Sequence, residues 1–237
     1  MTTSACALPC DVADLQLDYE STQELYWMGK DEDQVVAWSV SVTAPVGPDY
    51  DEWGPREQIG HLRVVQVNDE AMGSPFDVLD NAGADLSRVA DVLLGVHGDQ
   101  LEEYREEHDS GGYGFVVLDS VTLVQSWRGF GVGALLAGLV LQRLARDFEF
   151  VVVDPAPAGP PGPGDPDRAR DIEVYRDPEY YETEAHAAAV AKLTGVWAGL
   201  GFEPFADGFM VLNPSRAALG NAVAALRAKL QASRRSE

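Results

Sequence analysis

The chain has 237 residues, 46% of them apolar, with 39 Asp+Glu against 17 Lys+Arg and a formal net charge of −22. That size and composition suit one large domain or two small ones with a full core. The charge excludes a surface built for nucleic-acid backbones or anionic membranes, and no apolar run approaches the ~20 residues of a membrane span.

Residues 1–13 read as disordered or loosely attached. They carry neither a basic region nor a long apolar one, so no secretory signal is expected and the cytoplasm is the default. Cys6 and Cys10 are the only cysteines. Two thiols without nearby histidines make a poor metal site, and no disulfide framework is expected. Leu15–Tyr19 and Glu24–Met28 alternate weakly as strands, whereas Val35–Val42 is a better one. Pro45, Gly47, Pro48, Gly54 and Pro55 make residues 44–57 a loop. Ile59–Val67 follows as a second good strand, antiparallel to the first. Residues 76–107 are helical, with Leu86, Val89, Ala90, Leu93 and Leu94 at helix spacing and Asp85 as an N-terminal acid. Glu102, Glu103, Glu106 and Glu107 read as a solvated helix face. Ser110-Gly111-Gly112 ends that helix.

Tyr113–Val124 is a long strand that runs into a turn with Gly129, Gly131 and Gly133 at every second position. Val132, Leu135, Leu136, Leu139, Val140 and Leu144 then repeat at helical spacing over residues 132–146. The order is strand, glycine turn, helix. The first amides of a helix have no partner within it, the macrodipole adds positive charge, and glycines let a ligand come close. Such a turn cradles phosphate. A P-loop needs Gly-Lys-Ser/Thr, and Gly133 is followed by Ala134-Leu135. A dinucleotide fingerprint needs a third glycine at 134 or 136, which are Ala134 and Leu136. The pattern R-x-x-G-x-G is met by Arg128, Gly131 and Gly133.

Phe148–Val153 reads as a short buried parallel strand, closing a strand–helix–strand crossover. Prolines and glycines crowd residues 154–168, an internal insertion with no helix or strand. A helix runs from Thr183 to about Leu200 and ends at Gly201, where a glycine cap belongs. Strands near Phe202–Phe205 and Phe209–Leu212 close the core. Asn213-Pro214 reads as an N-cap with proline at the first helical position. In the final segment, residues 213–237, Leu219, Val223, Leu226 and Leu230 share one helix face. That stripe suits docking on the core or on a second subunit, which allows a homodimer.

The strand, turn and helix of residues 121–134 resemble motif A of the GNAT superfamily of acetyl-CoA-dependent N-acetyltransferases. Trp197-Ala198-Gly199-Leu200-Gly201-Phe202 resembles its motif B, whose helix ends in Leu-Gly-Phe. The resemblance covers residues 113–212, is weak before residue 35 and is absent from 214–237. It implies one α/β (α+β) domain over residues 14–212, with a mixed, largely antiparallel sheet flanked by helices and an added C-terminal helix. It implies acetyl-CoA as cosubstrate and a primary amine as acceptor, on a small molecule, a peptide or a protein lysine. By position it gives Val121, Leu123 and Val124 to the pantetheine arm, and Arg128, Gly129, Phe130, Gly131, Val132, Gly133 and Ala134 to the pyrophosphate of coenzyme A. Arg143 is a further candidate to offset the ligand's negative charge.

The chemistry expected from the family is less complete. Many members carry a glutamate where this chain has Val117. Strand alternation puts 117, 119, 121 and 123 on one face, which makes Asp119 the candidate base. The family's tyrosine acid corresponds to Trp197, which has no proton to give a thiolate. Tyr113, Tyr175, Tyr180 and Tyr181 lack positional support as substitutes. His61, His97, His108 and His186 form no metal motif, and Ser126 has no His/Asp partner at a recognisable spacing. The missing acid and base keep a rival open: a GNAT-like sensor that binds acyl-CoA without turnover. A nucleotide-phosphate enzyme is a third reading.

Overall fold

Strands whose β-branched residues are apolar on both faces need a covering layer on each side. The computed structural model describes residues 8–22, 35–47, 54–68, 79, 84–96, 98–107, 113–157, 183–215 and 217–235. Among them lies a seven-stranded sheet. In spatial order it runs β1 (Gln16–Thr22), β2 (Val35–Pro45), β3 (Arg56–Val67), β4 (Phe115–Leu123), β5 (Phe150–Val153), β7 (Met210–Leu212) and β6 (Glu203–Pro204). Only β4 and β5 are parallel; the other neighbours are antiparallel. The α-helices are α1 (Ala84–Ala90), α2 (Gly98–Glu107), α3 (Val132–Leu144), α4 (Glu184–Ala198) and α5 (Ala217–Arg235). A π-helical turn, Asp91–Val96, continues α1. The architecture is thus mixed, with a mostly antiparallel sheet and helices, as expected.

Two cores lie on opposite sheet faces. Val40, Leu62, Val64, Val116, Leu118, Val151 and Val153 join α3 on one. Val65, Val67, Phe115, Val117, Phe150 and Val152 join α1 on the other, with Phe115 stacked on Phe150 at 5.2 Å between centroids. Each fully buried side chain of this size is worth about 1.5–3 kcal/mol of transfer free energy. α3 is buried almost all round, because the sheet covers one side and α5 another. Gln66 ties the layers together: it accepts from Trp38 Nε1 (2.7 Å) and donates to the Leu144 carbonyl (2.6 Å), one of the carbonyls left open at the end of α3.

The apolar stripe of α5 is spent inside the chain. Leu219, Val223 and Leu230 are buried in the α3-side core. A Cβ on Gly138 would stand 2.5 Å from Val223 Cγ2, so α3 and α5 cross closely at that glycine.

Several expectations need correction. Residues 8–13 are packed rather than loose. Cys10 is buried, Asp11 caps a short 3-10 turn at Val12–Asp14, and Arg56 Nη2 donates to the Asp14 carbonyl (2.6 Å). β2 runs on to Pro45 and β3 begins at Arg56, so the loop between them is shorter than 44–57. α5 starts at Ala217, not beside Pro214. Asn213 Oδ1 instead accepts from Ser215 N (3.0 Å) and Ser215 Oγ (2.6 Å), a local turn that competes with the helix. Cys6, Glu24–Met28, Ser110–Gly112, the Asp85 side chain and residues 158–168 of the insertion lie outside the described residues.

Candidate functional site

As far as Leu118, β4 alternates cleanly: Phe115 and Val117 face the α1 core, Val116 and Leu118 the α3 core. The alternation then breaks. Val64 pairs with Leu118, but Arg63 pairs with Ser120, leaving Asp119 as an extra residue. A bulge bends the strand and changes which residues face which layer. Val121 and Leu123 therefore lie towards α3. Their Cγ1 and Cδ1 atoms are 3.7 and 3.6 Å from where a Cβ on Gly133 would stand. The expected sharing of one face by Val117, Asp119, Val121 and Leu123 does not hold. Asp119 looks to the opposite side, where Oδ2 lies 3.3 Å from Arg63 Nη1. Its side chain is 10% exposed against 44% for Arg63. Arg63 shares that face because Leu62 and Val64, its neighbours, face the α3 core.

At the same point β5 gives out. It pairs with β4 only from Phe115–Phe150 to Leu118–Val153. Among the described residues, no strand flanks β4 on that side beyond Leu118. Val124 N–H donates to the Ile59 carbonyl (2.8 Å). In an antiparallel ladder, Thr122 then directs its backbone groups to β3, while Val121 and Leu123 direct theirs away. The backbone edges of Val121 and Leu123 thus face the side that β5 has vacated. Gly60 holds this end of β4 close to β3: a Cβ there would lie 2.7 Å from the Thr122 carbonyl and 2.6 Å from Leu123 Cδ2.

The strand feeds a short 3-10 turn, Gln125–Trp127, whose buried Trp127 anchors the loop in the core. Arg128 Nε donates to the Leu123 carbonyl, so the guanidinium folds back along the loop. Gly129 and Gly131 take φ of +87° and +90°, a region that costs other residues strain. Gly131 is the N-cap of α3 and the first helical bond is Leu135 N–H to the Gly131 carbonyl (3.1 Å). The amides of Val132, Gly133 and Ala134 precede it and have no intrahelical acceptor. Among the described residues, nothing lies within 4 Å of a Cβ built on Gly129. An open loop, amides at a helix start and a glycine-bearing N-cap fit an anionic diphosphate. Gly133 is different: its added Cβ meets only ordinary contacts, so neither backbone angle nor space demands glycine there. Phe130 is half-buried against the α3-side core.

Arg143 does not join this site. It lies 11 residues beyond Val132, about 16 Å along the helix. Its guanidinium sits 4.4 Å from the centroid of the Tyr19 ring.

On the Asp119 face, the end of the sheet beyond the α1 core is polar. Ser39 Oγ and His61 Nε2 are 2.8 Å apart. Burial, and secondarily the Arg63 guanidinium, hold the His61 imidazole below the ordinary histidine value. His61 stands opposite Ser41 on β2 and Thr122 on β4; Arg63 stands opposite Ser39 and Ser120. No spacing along the chain links Ser39 to His61, since 22 residues separate them. A signal was nevertheless present. Ser39 and Ser41 alternate with Val40 and Val42, and His61 and Arg63 with Leu62 and Val64, which marks two strands polar on one face.

Trp197 is in the core, edge-on to Phe202 at 6.1 Å, and its buried Nε1 has no hydrogen-bond partner among the described residues. Tyr113 is exposed, and Tyr175, Tyr180, Tyr181, His97 and His108 lie outside the described residues. Ser126 is exposed in the 3-10 turn, and Thr183 Oγ1 accepts from His186 N at the start of α4. Glu102, Glu103, Glu106 and Glu107 are exposed on α2. Among the described residues no three His, Cys, Asp or Glu side chains are grouped to hold a metal ion, and no helix is long and apolar enough to cross a membrane. No family model, curated protein or solved structure matches the chain.

Proposed function

We propose that the chain is a GNAT-type acyltransferase that moves an acyl group, acetyl in the simplest case, from coenzyme A to a primary amine. The observation that carries this reading is the conjunction at β4. The strand bulges at Asp119, loses β5 beyond Leu118, turns the backbone of Val121 and Leu123 outwards and runs into the glycine loop of α3. The extended arm of coenzyme A has amides that can pair with such an edge, and its diphosphate suits the amides of residues 132–134. The bound thioester supplies an activated acyl group. Donation from a β4 amide to its carbonyl stabilises the charge that develops there. Holding donor and acceptor in one cleft supplies much of the remaining acceleration. Arg63 and Asp119 line the acceptor side. The net charge of −22 favours a cationic acceptor.

A sensor without turnover is the rival, favoured by Val117 and Trp197 where the family has an acid or base and by the engagement of Asp119 with Arg63. Calorimetry with coenzyme A, followed by an acetyl-CoA assay on an amine panel, separates them. Acyl transfer supports the enzyme. Tight binding with no transfer to any amine supports the sensor. Absence of binding by folded protein, or displacement by ATP or a dinucleotide, overturns both.

A further inference from the structure

We propose that His61 is the general base that takes the proton from the acceptor's ammonium group, with Ser39 as its positioning residue. This rests on the acyl-transfer reading and departs from the expectation that Asp119 does that work. Asp119 and His61 share the face opposite the side chains of Val121 and Leu123, but Asp119 is paired with Arg63. His61 is better placed along the sheet. Its register partner is Thr122, the residue between the two whose backbone faces outwards. Directly paired strands bring its Cα to within about 5.5 Å of that point on β4.

The surroundings suit a base. Arg63, its neighbour on β3, carries the nearby positive charge and is paired with Asp119 of β4; β2 places Ser39 and Ser41 beside the ring, and Asp18 and Glu20 of β1 stand opposite Ser41 and Ser39 on the same face. Ser39 Oγ and His61 Nε2 are 2.8 Å apart, and we assign the Nε2–H tautomer as donor, which leaves the lone pair on Nδ1. A half-buried imidazole beside a guanidinium stays neutral at pH 7, the form that accepts a proton. In the reaction, Nδ1 takes one proton from R–NH3+. The freed nitrogen pair forms the N–C bond to the thioester carbonyl carbon, the C–S bond breaks, and the thiolate leaves and takes a proton from solvent. The nitrogen, still protonated once too often after attack, releases a second proton to solvent; the proton His61 returns offsets the one taken by the thiolate, so one proton is released in all.

The test uses two nucleophiles with acetyl-CoA at pH 7: cadaverine, which is protonated, and hydroxylamine, which is neutral. His61→Gln is expected to lower kcat/KM for cadaverine about 10²–10⁴-fold while changing hydroxylamine transfer by less than about threefold. In the variant the cadaverine rate should follow the free-amine fraction, rising about tenfold per pH unit around neutrality, while coenzyme A affinity stays unchanged. Ser39→Ala, a milder change that spares the ring, is expected to give a smaller loss for cadaverine, restored in Ser39→Thr. Equal loss with both nucleophiles, no loss with cadaverine, or no transfer by the wild type overturns the base assignment. Transfer by the wild type separates failure of the base assignment from failure of the acyl-transfer reading: the wild type still acetylates hydroxylamine in the first and acetylates neither nucleophile in the second.

Discussion

Gly138→Ala tests whether α5 covers α3 within one chain. The new methyl carbon would stand 2.5 Å from Val223 Cγ2 and 3.3 Å from Leu200 Cδ2. Ordinary carbon contacts are about 3.5–4.0 Å, so the overlap with Val223 is roughly 1–1.5 Å. Valine in a helix has one strongly preferred rotamer and cannot swing aside, so α5 itself must move. Overpacking of this kind costs about 1–3 kcal/mol, and the better helix propensity of alanine returns about 1. A net loss of up to about 2 kcal/mol is expected. Val223→Ala alone removes two methyl groups, about 1.6 kcal/mol, plus a cavity term. In the double variant the new methyl occupies the vacated space, so the sum of the single effects should exceed the measured loss by about 1–2 kcal/mol. Urea unfolding followed by circular dichroism at two protein concentrations reads all of this. Additivity within about 0.5 kcal/mol refutes the contact. A midpoint that rises with protein concentration would instead place the stripe of α5 on a second copy. Leu226 Cδ2 is 3.8 Å from a Cβ built on Gly131, so α5 also backs the loop, and Gly138→Ala should weaken coenzyme A binding measured by calorimetry.

The loop glycines should separate. Gly131→Ala is expected to cost about 1–2 kcal/mol through its left-handed backbone and to weaken coenzyme A binding, whereas Gly133→Ala should stay within about 0.5 kcal/mol in the same unfolding assay. Gly60→Ala meets the Thr122 backbone carbonyl as well as Leu123 Cδ2, and a loss of about 1–3 kcal/mol together with coenzyme A affinity is expected. Asp119→Asn should change stability by less than about 1 kcal/mol, because its partner Arg63 is largely solvated. The His61 imidazole titrates lower in the folded chain than in the unfolded one, so the unfolded state protonates first as pH falls. Stability should therefore be full above about pH 6.5 and decline as pH drops below it, a slope that His61→Gln removes in unfolding curves taken across that range.

Periodicity read along the chain was enough for the elements around the loop. The change from alternation in Phe115–Leu118 to a helical repeat after Val132 marks a strand, a turn and a helix, because each element has its own side-chain period. The same logic found the short parallel strand of Phe150–Val153 and the stripe of Leu219, Val223 and Leu230. Three matters were decided only by tertiary contacts. A bulge is a mismatch between two strands, so nothing in residues 115–123 alone reveals that Asp119 is the unpaired one or that Val121 turns to α3. An amphipathic stripe states that a surface must be covered, but the close crossing at Gly138 identifies the cover. The meetings of Ser39 with His61 and of Arg63 with Asp119 depend on the register of three strands. Local propensities specify each strand, whereas pairing between distant segments determines which polar side chains stand together.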